Sequence, residues 1–137
     1  MPAQKTELNT QAIVYSDFMV NFDIHPVSGD LVLATNEDAV KRSVKNLILT
    51  NFYEKPFFPT LGSGILSLEF ENWTPMLQEN IKTRIKTTIT NFEPRAKVIS
   101  IYITPDPDHN SVNCTITFSL LNSDTPVTLT LPLFRIR

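Results

Sequence analysis

The chain has 137 residues, of which 42% are hydrophobic and 19% charged, and its formal net charge is -2. That composition is globular, not disordered, and the length suits one domain with a core that needs no staples. The charge balance lacks the basic footprint of a nucleic-acid binder, the single cysteine excludes an internal disulfide, and no run approaches the roughly 18 apolar residues of a membrane span. The polar stretch Met1–Gln11 also lacks the apolar run of a secretory leader, so a soluble, cytoplasmically made protein is expected.

Residues 1–12 read as a polar arm ahead of a single domain over 13–137. Phe18, Val20, Phe22 and Ile24 alternate with polar residues or Met19, which predicts a short extended segment. His25-Pro26-Val27-Ser28-Gly29-Asp30 clusters turn formers, and Leu31–Ala34 returns as a second strand, making a hairpin. Thr35 with Asp38 three residues on resembles a capping box and opens a helix. Val40, Val44, Leu47 and Ile48 share one face of it, Lys41, Arg42 and Lys45 lie on or beside the other, and it ends near Thr50 or Asn51.

Residues 52–74 form a loop carrying Phe52, Tyr53, Phe57, Phe58, Phe70 and Trp73, stiffened by Pro56 and Pro59, with a short helical turn over Leu66–Phe70. So many aromatics in a long loop are expected to be pinned as satellites of the core or to a partner. Base stacking is the weaker reading, because residues 56–81 contain no basic side chain. Thr74 as cap and Pro75 at the first helical position open a second helix, whose stripe is Leu77, Ile81, Ile85, Ile89 and Phe92. Pro94 disfavours helical geometry at Glu93 and stops it there.

Three strand patterns follow. Ile99, Ile101 and Ile103 alternate with Val98, Ser100 and Tyr102; Val112, Cys114, Ile116, Phe118 and Leu120 alternate with polar residues; Val127, Leu129, Leu131 and Leu133 alternate with Thr128, Thr130 and Pro132. Pro132 cannot donate to a ladder, which places the last strand at a sheet edge. The expected fold is α+β: two main helices packed on a three-stranded antiparallel meander, with a short N-terminal β-hairpin.

The residues give little support for catalysis. His25 and His109 sit in turns, and Cys114 lies on the apolar face of its strand, where a free cysteine acts as a small hydrophobe. No His, Cys, Asp or Glu cluster has metal-ligand spacing, Asp106 and Asp108 are too few for a calcium loop, and glycines at 29, 62 and 64 alone make no phosphate cradle, so no cofactor is expected. Glu69, Glu71, Glu79 and Glu93 are the carboxylates a glycosidase pair would draw on, but nothing in their spacing sets such a pair.

Two features suit protein binding. Glu93-Pro94-Arg95 is either punctuation, with both charges in water, or a stiff corner presenting one acid and one base to a partner. The last strand, with Thr128, Leu129, Thr130, Leu131, Leu133, Phe134 and Arg135, is either an ordinary edge blunted by Pro132 and its arginines or an edge to which another chain adds.

From about His25 to Arg95, and more loosely to the C-terminus, the chain resembles the baseplate wedge protein (sheath initiator) family of contractile phage tails, which includes the small baseplate component of type VI secretion systems. The matching pieces are His25-Pro26 with Gly29-Asp30-Leu31, Val44-Lys45-Asn46-Leu47, Lys55-Pro56-Phe57 with Pro59 and Gly62, Phe70-Glu71, the second helix, and the hallmark Glu93-Pro94-Arg95 after it. Lys55 stands where the family usually has arginine, Tyr53 where it often has glycine, Leu61 where an aromatic is common, and Ala96 where a branched residue is usual. The resemblance implies a structural protein of the virion baseplate, assembled in the host cytoplasm and present in several copies in a ring around the tail tube. Glu93-Pro94-Arg95 would dock on a helical bundle of wedge proteins, and the C-terminal sheet would mimic a sheath subunit and seed the first sheath ring by strand exchange. Some relatives carry a lysozyme label, and the alternative it implies is a peptidoglycan hydrolase using Glu69 or Glu71.

Overall fold

The computed structural model describes residues 15–19, 21–121 and 123–135, without the side chains of Phe134 and Arg135. The arm predicted over residues 1–12, and Val20 of the first predicted strand, lie outside the described residues. Two compact units are present, one reaching Ala39 and the other running from Val40 to Arg137.

In the first unit, β1 (Ser16–Phe18) pairs antiparallel with β2 (Leu33–Thr35), Phe18 opposite Leu33. The predicted hairpin is therefore present, although its regular strands are short. Phe22 takes a left-handed backbone at φ 51°, which breaks the first alternation, and the pairing continues irregularly, with an isolated bridge of Ile24 to Leu31 and the Val32 N–H donating to the Asp23 carbonyl at 2.9 Å. His25 is a turn residue: its carbonyl accepts from Gly29 N–H at 2.9 Å, and its Nδ1 lies 3.3 Å from the N–H groups of Val27 and Ser28. Thr35 belongs to β2. The chain enters α1 (Asn36–Leu49) through Asn36, at φ 48°, whose Oδ1 accepts Tyr15 N–H at 3.2 Å. Asparagine is among the few residues that tolerate this conformation.

The second unit contains the rest of α1, then α2 (Pro75–Phe92) and the antiparallel sheet of β3 (Ala96–Asp106), β4 (Ser111–Leu120) and β5 (Ser123–Arg135), in the order β3-β4-β5. The α+β architecture is as the patterns predict. Val40, Val44 and Ile48 are buried on one face of α1, and Leu77, Ile81, Ile85 and Ile89 on one face of α2. Each such side chain contributes about 1.5–3 kcal/mol by leaving water. Thr74 caps α2 by accepting Leu77 N–H at 3.1 Å. That helix lies against β3, where Gln78 donates its side-chain amide to the Ile103 carbonyl at 3.3 Å.

β4 is the centre of the sheet, with Val112, Cys114, Ile116 and Phe118 fully buried at period two. β3 departs from its pattern. The register skips between Val98 and Ser100, and Ile99, predicted to face inward, is 58% exposed. A bulge leaves one residue unpaired and redirects it. β5 is an edge strand, as Pro132 predicts, and it buries Val127, Leu131 and Leu133. Both of its prolines stand beside irregularities: Pro132 pairs with Asn113 next to one register shift, and Pro126 pairs with Ser119 next to the other.

The segment between the helices is stitched down at its centre. Ser63 Oγ donates to the Ile48 carbonyl at 2.5 Å, and Ser63 N–H donates to the Thr50 carbonyl at 3.0 Å. These bonds satisfy carbonyls that the end of α1 leaves without helical partners. Thr88 Oγ1 reaches the Gly62 carbonyl from α2 at 3.2 Å, and a single 3-10 turn, Ile65–Leu68, buries Ile65 and Leu68. The loop aromatics behave differently from the expected core satellites. Phe52, Tyr53, Phe57, Phe58 and Phe70 face solvent, and only Trp73 is half-buried. Ile65 and Leu68 supply the buried apolar contacts of this segment, while Tyr53 (φ 65°) and Phe57 (φ 67°) take left-handed turns among the exposed rings.

Gly62 sits at φ 123° where a Cβ would stand 2.4 Å from the Thr50 carbonyl oxygen. The Gly62→Ala variant is therefore expected to lose more than about 1 kcal/mol, read as a lower urea midpoint. An unchanged midpoint would contradict this close approach.

Candidate docking site

At the end of α2 the chain changes direction in four residues. Glu93 N–H still donates to the Ile89 carbonyl at 2.9 Å, but Pro94 pushes Glu93 out of helical geometry, to φ -127° and ψ 78°. The Glu93 carbonyl then accepts Ala96 N–H at 3.2 Å, closing a turn with Pro94 and Arg95 at its centre. Proline at the first central position supplies the φ such a turn requires. The Arg95 carbonyl accepts Leu121 N–H at 3.2 Å, which ties the corner to the end of the β4–β5 hairpin.

The two charges do not both face outward. The Glu93 side chain is only 3% exposed, whereas that of Arg95 is 29% exposed. Arg95 grips the carboxylate in a fork, Nε to Oε1 at 2.5 Å and Nη2 to Oε2 at 2.8 Å. Ser43, on α1, donates its hydroxyl to Oε2 in a very short bond. Burial alone would raise the Glu93 pKa, but hydrogen bonds from Arg95 and Ser43 and the charge of the guanidinium outweigh it and hold the carboxyl below its usual range. The exposed acid-and-base pair predicted from the sequence is thus corrected: Glu93 is an internal anchor, and the corner offers solvent one cation whose plane is set from behind.

The other predicted binding residues lie on β5. Thr128 and Thr130 are exposed, and the Thr130 hydroxyl lies 3.3 Å from that of Thr115. Leu129 is half-buried, and Leu131 and Leu133 are core. Phe134 and Arg135 continue the strand, with Phe134 paired to Val112 and Arg135 to Ser111. Along residues 128–133 the exposed side chains are Thr128, Thr130 and Pro132.

A groove of about 450 Å³ opens beside α2, lined among others by Phe52, Arg84, Thr87, Thr88, Asn91 and Phe92. Nothing in the apolar patterning pointed to it. Among the described residues no carboxylate lines it, so neither Glu69 nor Glu71 belongs to it. Asp106 Oδ2 bonds His109 Nδ1 at 2.8 Å in the exposed β3–β4 turn, and that hydrogen bond lowers the Asp106 pKa. Burial pushes the Cys114 thiol up to about 12. Among the described residues no group of three or more His, Cys, Asp or Glu side chains is placed to hold a metal ion.

The family model for baseplate wedge protein gp25 matches residues 34–125, which includes both helices, the corner and the start of β5. The chain belongs to the baseplate wedge protein gp25 family. It is 27% identical over 85 residues to the baseplate wedge protein gp25 of Enterobacteria phage T4, covering 62% of this chain and 64% of that protein. A component of the anti-feeding prophage baseplate, seen by cryo-electron microscopy with six-fold symmetrisation, superposes with a TM-score of 0.70 at 29% identity, covering 80% of this chain and 88% of that one. A Geobacter sulfurreducens protein named provisionally as a tail lysozyme superposes with a TM-score of 0.71 at 21% identity, over 78% of this chain and 96% of that one. That likeness concerns the fold. The family is one of structural baseplate-wedge components of contractile tails.

The left-handed turn at Tyr53 (φ 65°) gives the expected glycine position a physical meaning, since glycine adopts that conformation without strain.

Because the native Glu93 resists protonation more than the unfolded chain does, its contribution to stability is complete above the ordinary glutamate value of about 4.3 and falls away as the pH drops through the lowered native value. Replacing Glu93 by Gln is expected to cost about 3 kcal/mol at neutral pH, since it leaves Arg95 without its counter-charge. The same change should flatten the loss of stability on acidification. Urea unfolding of both proteins at neutral and acidic pH checks the two effects together, and equal acid sensitivity would contradict the assignment.

Proposed function

We propose that this protein is a wedge component of a contractile-tail baseplate in a phage or phage-like particle, docking on neighbouring wedge subunits through Arg95 and initiating the sheath through the edge of β5. The observation that carries the docking half is the forked grip of buried Glu93 on Arg95 at an exposed corner. A guanidinium held in one plane loses little freedom when it meets a partner's carbonyls or carboxylate, and lysine cannot reproduce that geometry. Ser43 extends the support to α1, so both helices contribute to the orientation of one side chain.

The sheath half is supported by the position of β5. Among the described residues it pairs with β4 alone in the sheet, so the other side of its backbone meets no described strand and suits an added one. Its buried leucines hold the strand in place while the exposed threonine face keeps the edge wettable. The expected setting is a ring of several copies around the tail tube, within the virion baseplate.

Two measurements test these halves separately. Arg95→Lys should keep the circular-dichroism spectrum of the parent and fail to enter baseplates in a complementation assay; normal incorporation would sink the docking role. For the sheath, Thr128→Pro and Leu129→Pro are compared, because adjacent residues of an edge strand point their N–H groups to opposite sides. The variant that retains its unfolding midpoint carries proline on the open side, and it should enter baseplates yet leave them without sheath. Full-length sheaths on those particles would overturn strand addition.

A further inference from the structure

The groove beside α2 is lined by one charged side chain, Arg84, together with two aromatic rings and several hydroxyl and amide groups. Arg84 is held in it by two neutral partners, Nε donating to Asn80 Oδ1 at 3.1 Å and Nη1 donating to the Gly64 carbonyl at 3.2 Å. Among the described residues no carboxylate lines the groove and none forms an ion pair with Arg84. A positive charge oriented by neutral groups in a concave site is complementary to an acid. Phe52 and Phe92 contribute apolar surface to its lining, and Thr87 and Asn91 contribute hydroxyl and amide groups.

The groove does not stand alone. Phe52 belongs to the loop that also displays Tyr53, Phe57 and Phe58, and Phe57 is 97% exposed. Lys55 stands 5.2 Å from the ring of Phe58, a second cation among these aromatics. Tyr53 and Phe57 hold left-handed backbone that bulky residues rarely adopt, and such strain persists only where the surroundings over-determine it. Backbone bonds hold both turns: the Tyr53 N–H is bonded to the Pro59 carbonyl at 2.9 Å, and the Phe58 N–H to the Lys55 carbonyl at 3.3 Å across Phe57. Exposed aromatics and arginine on a rigid frame are the composition of a protein interface, and they extend the apolar surface well past what a small acid would fill.

We infer that this groove takes a segment of another protein in which an aromatic or aliphatic side chain sits next to a glutamate or aspartate. The apolar side chain lies against Phe52 and Phe92, the carboxylate meets Arg84, and the flanking residues of the segment cover the aromatic loop. This surface is distinct from the Arg95 corner, and its test needs no assembled particle.

The probe is N-acetyl-glutamyl-phenylalanine amide, titrated into the isotope-labelled full chain and followed by NMR. Saturable shifts at Thr83, Thr87 and Asn91 are expected, about fivefold or more weaker for the glutamine analogue. Arg84→Gln should remove the preference between the two probes. Thr87→Trp, which fills the groove and leaves the bonds of Arg84 in place, should abolish binding of both. Absence of saturable shifts, equal affinity for the two probes, or shifts that map elsewhere would overturn the inference. Benzoate binding as tightly as the dipeptide would overturn it in favour of a small-acid pocket.

Discussion

One buried carboxylate joins three parts of the second unit. Glu93 ends α2, receives the hydroxyl of Ser43 from α1, and holds the guanidinium of Arg95 where the chain turns into the sheet. A buried charge with a missing partner is costly, and the same charge fully bonded restricts the structure to one arrangement. Here the arrangement it selects is the angle between helix and strand. Pro94 removes the helical alternative at Glu93, and the Leu121 bond to the Arg95 carbonyl removes freedom on the sheet side. The corner is therefore stiff because several weak local preferences converge on it.

Stiffness is shared by the loop between the helices. Two glycines allow backbone and ring to approach where no side chain would fit, and Ser63 answers the carbonyls at the end of α1. The result is a segment without regular structure that is nevertheless bonded to both helices. Its aromatics point away from the core because Ile65 and Leu68 already occupy the inward positions. A frame of this kind presents apolar groups to solvent at little risk of collapsing onto them, which fits a family whose members work inside an assembly.

Much of this was legible in the residues. Period-two alternation identified β4 and β5, the Thr74-Pro75 start and Pro94 stop bounded α2 within a residue, and Pro132 placed β5 at an edge. The misses have physical causes. The β-bulge at Ile99 depends on pairing with β4, which no local pattern encodes. The inward turn of Glu93 depends on Ser43, 50 positions away in the chain. A signal for it did exist: Ser43 falls on the stripe of Val40, Val44 and Leu47, and Thr88 on that of Ile81, Ile85 and Phe92, so each is a polar residue on an otherwise apolar helical face. Hydroxyls taken out of water need partners, and part-buried Ser43 and buried Thr88 find a carboxylate and a carbonyl. The groove at Arg84 escaped notice because it is made by a loop closing on a helix, and closure of that kind leaves no periodicity.

Cys114 has a consequence of its own. It is the chain's one sulfhydryl, fully enclosed at the middle of the central strand, with ionisation pushed up to about 12. Thiolate is the species that alkylating reagents attack, so the folded state withholds it twice, by enclosure and by chemistry. Modification must wait until the sheet separates, which makes the sulfur an intrinsic clock for breathing of the strands.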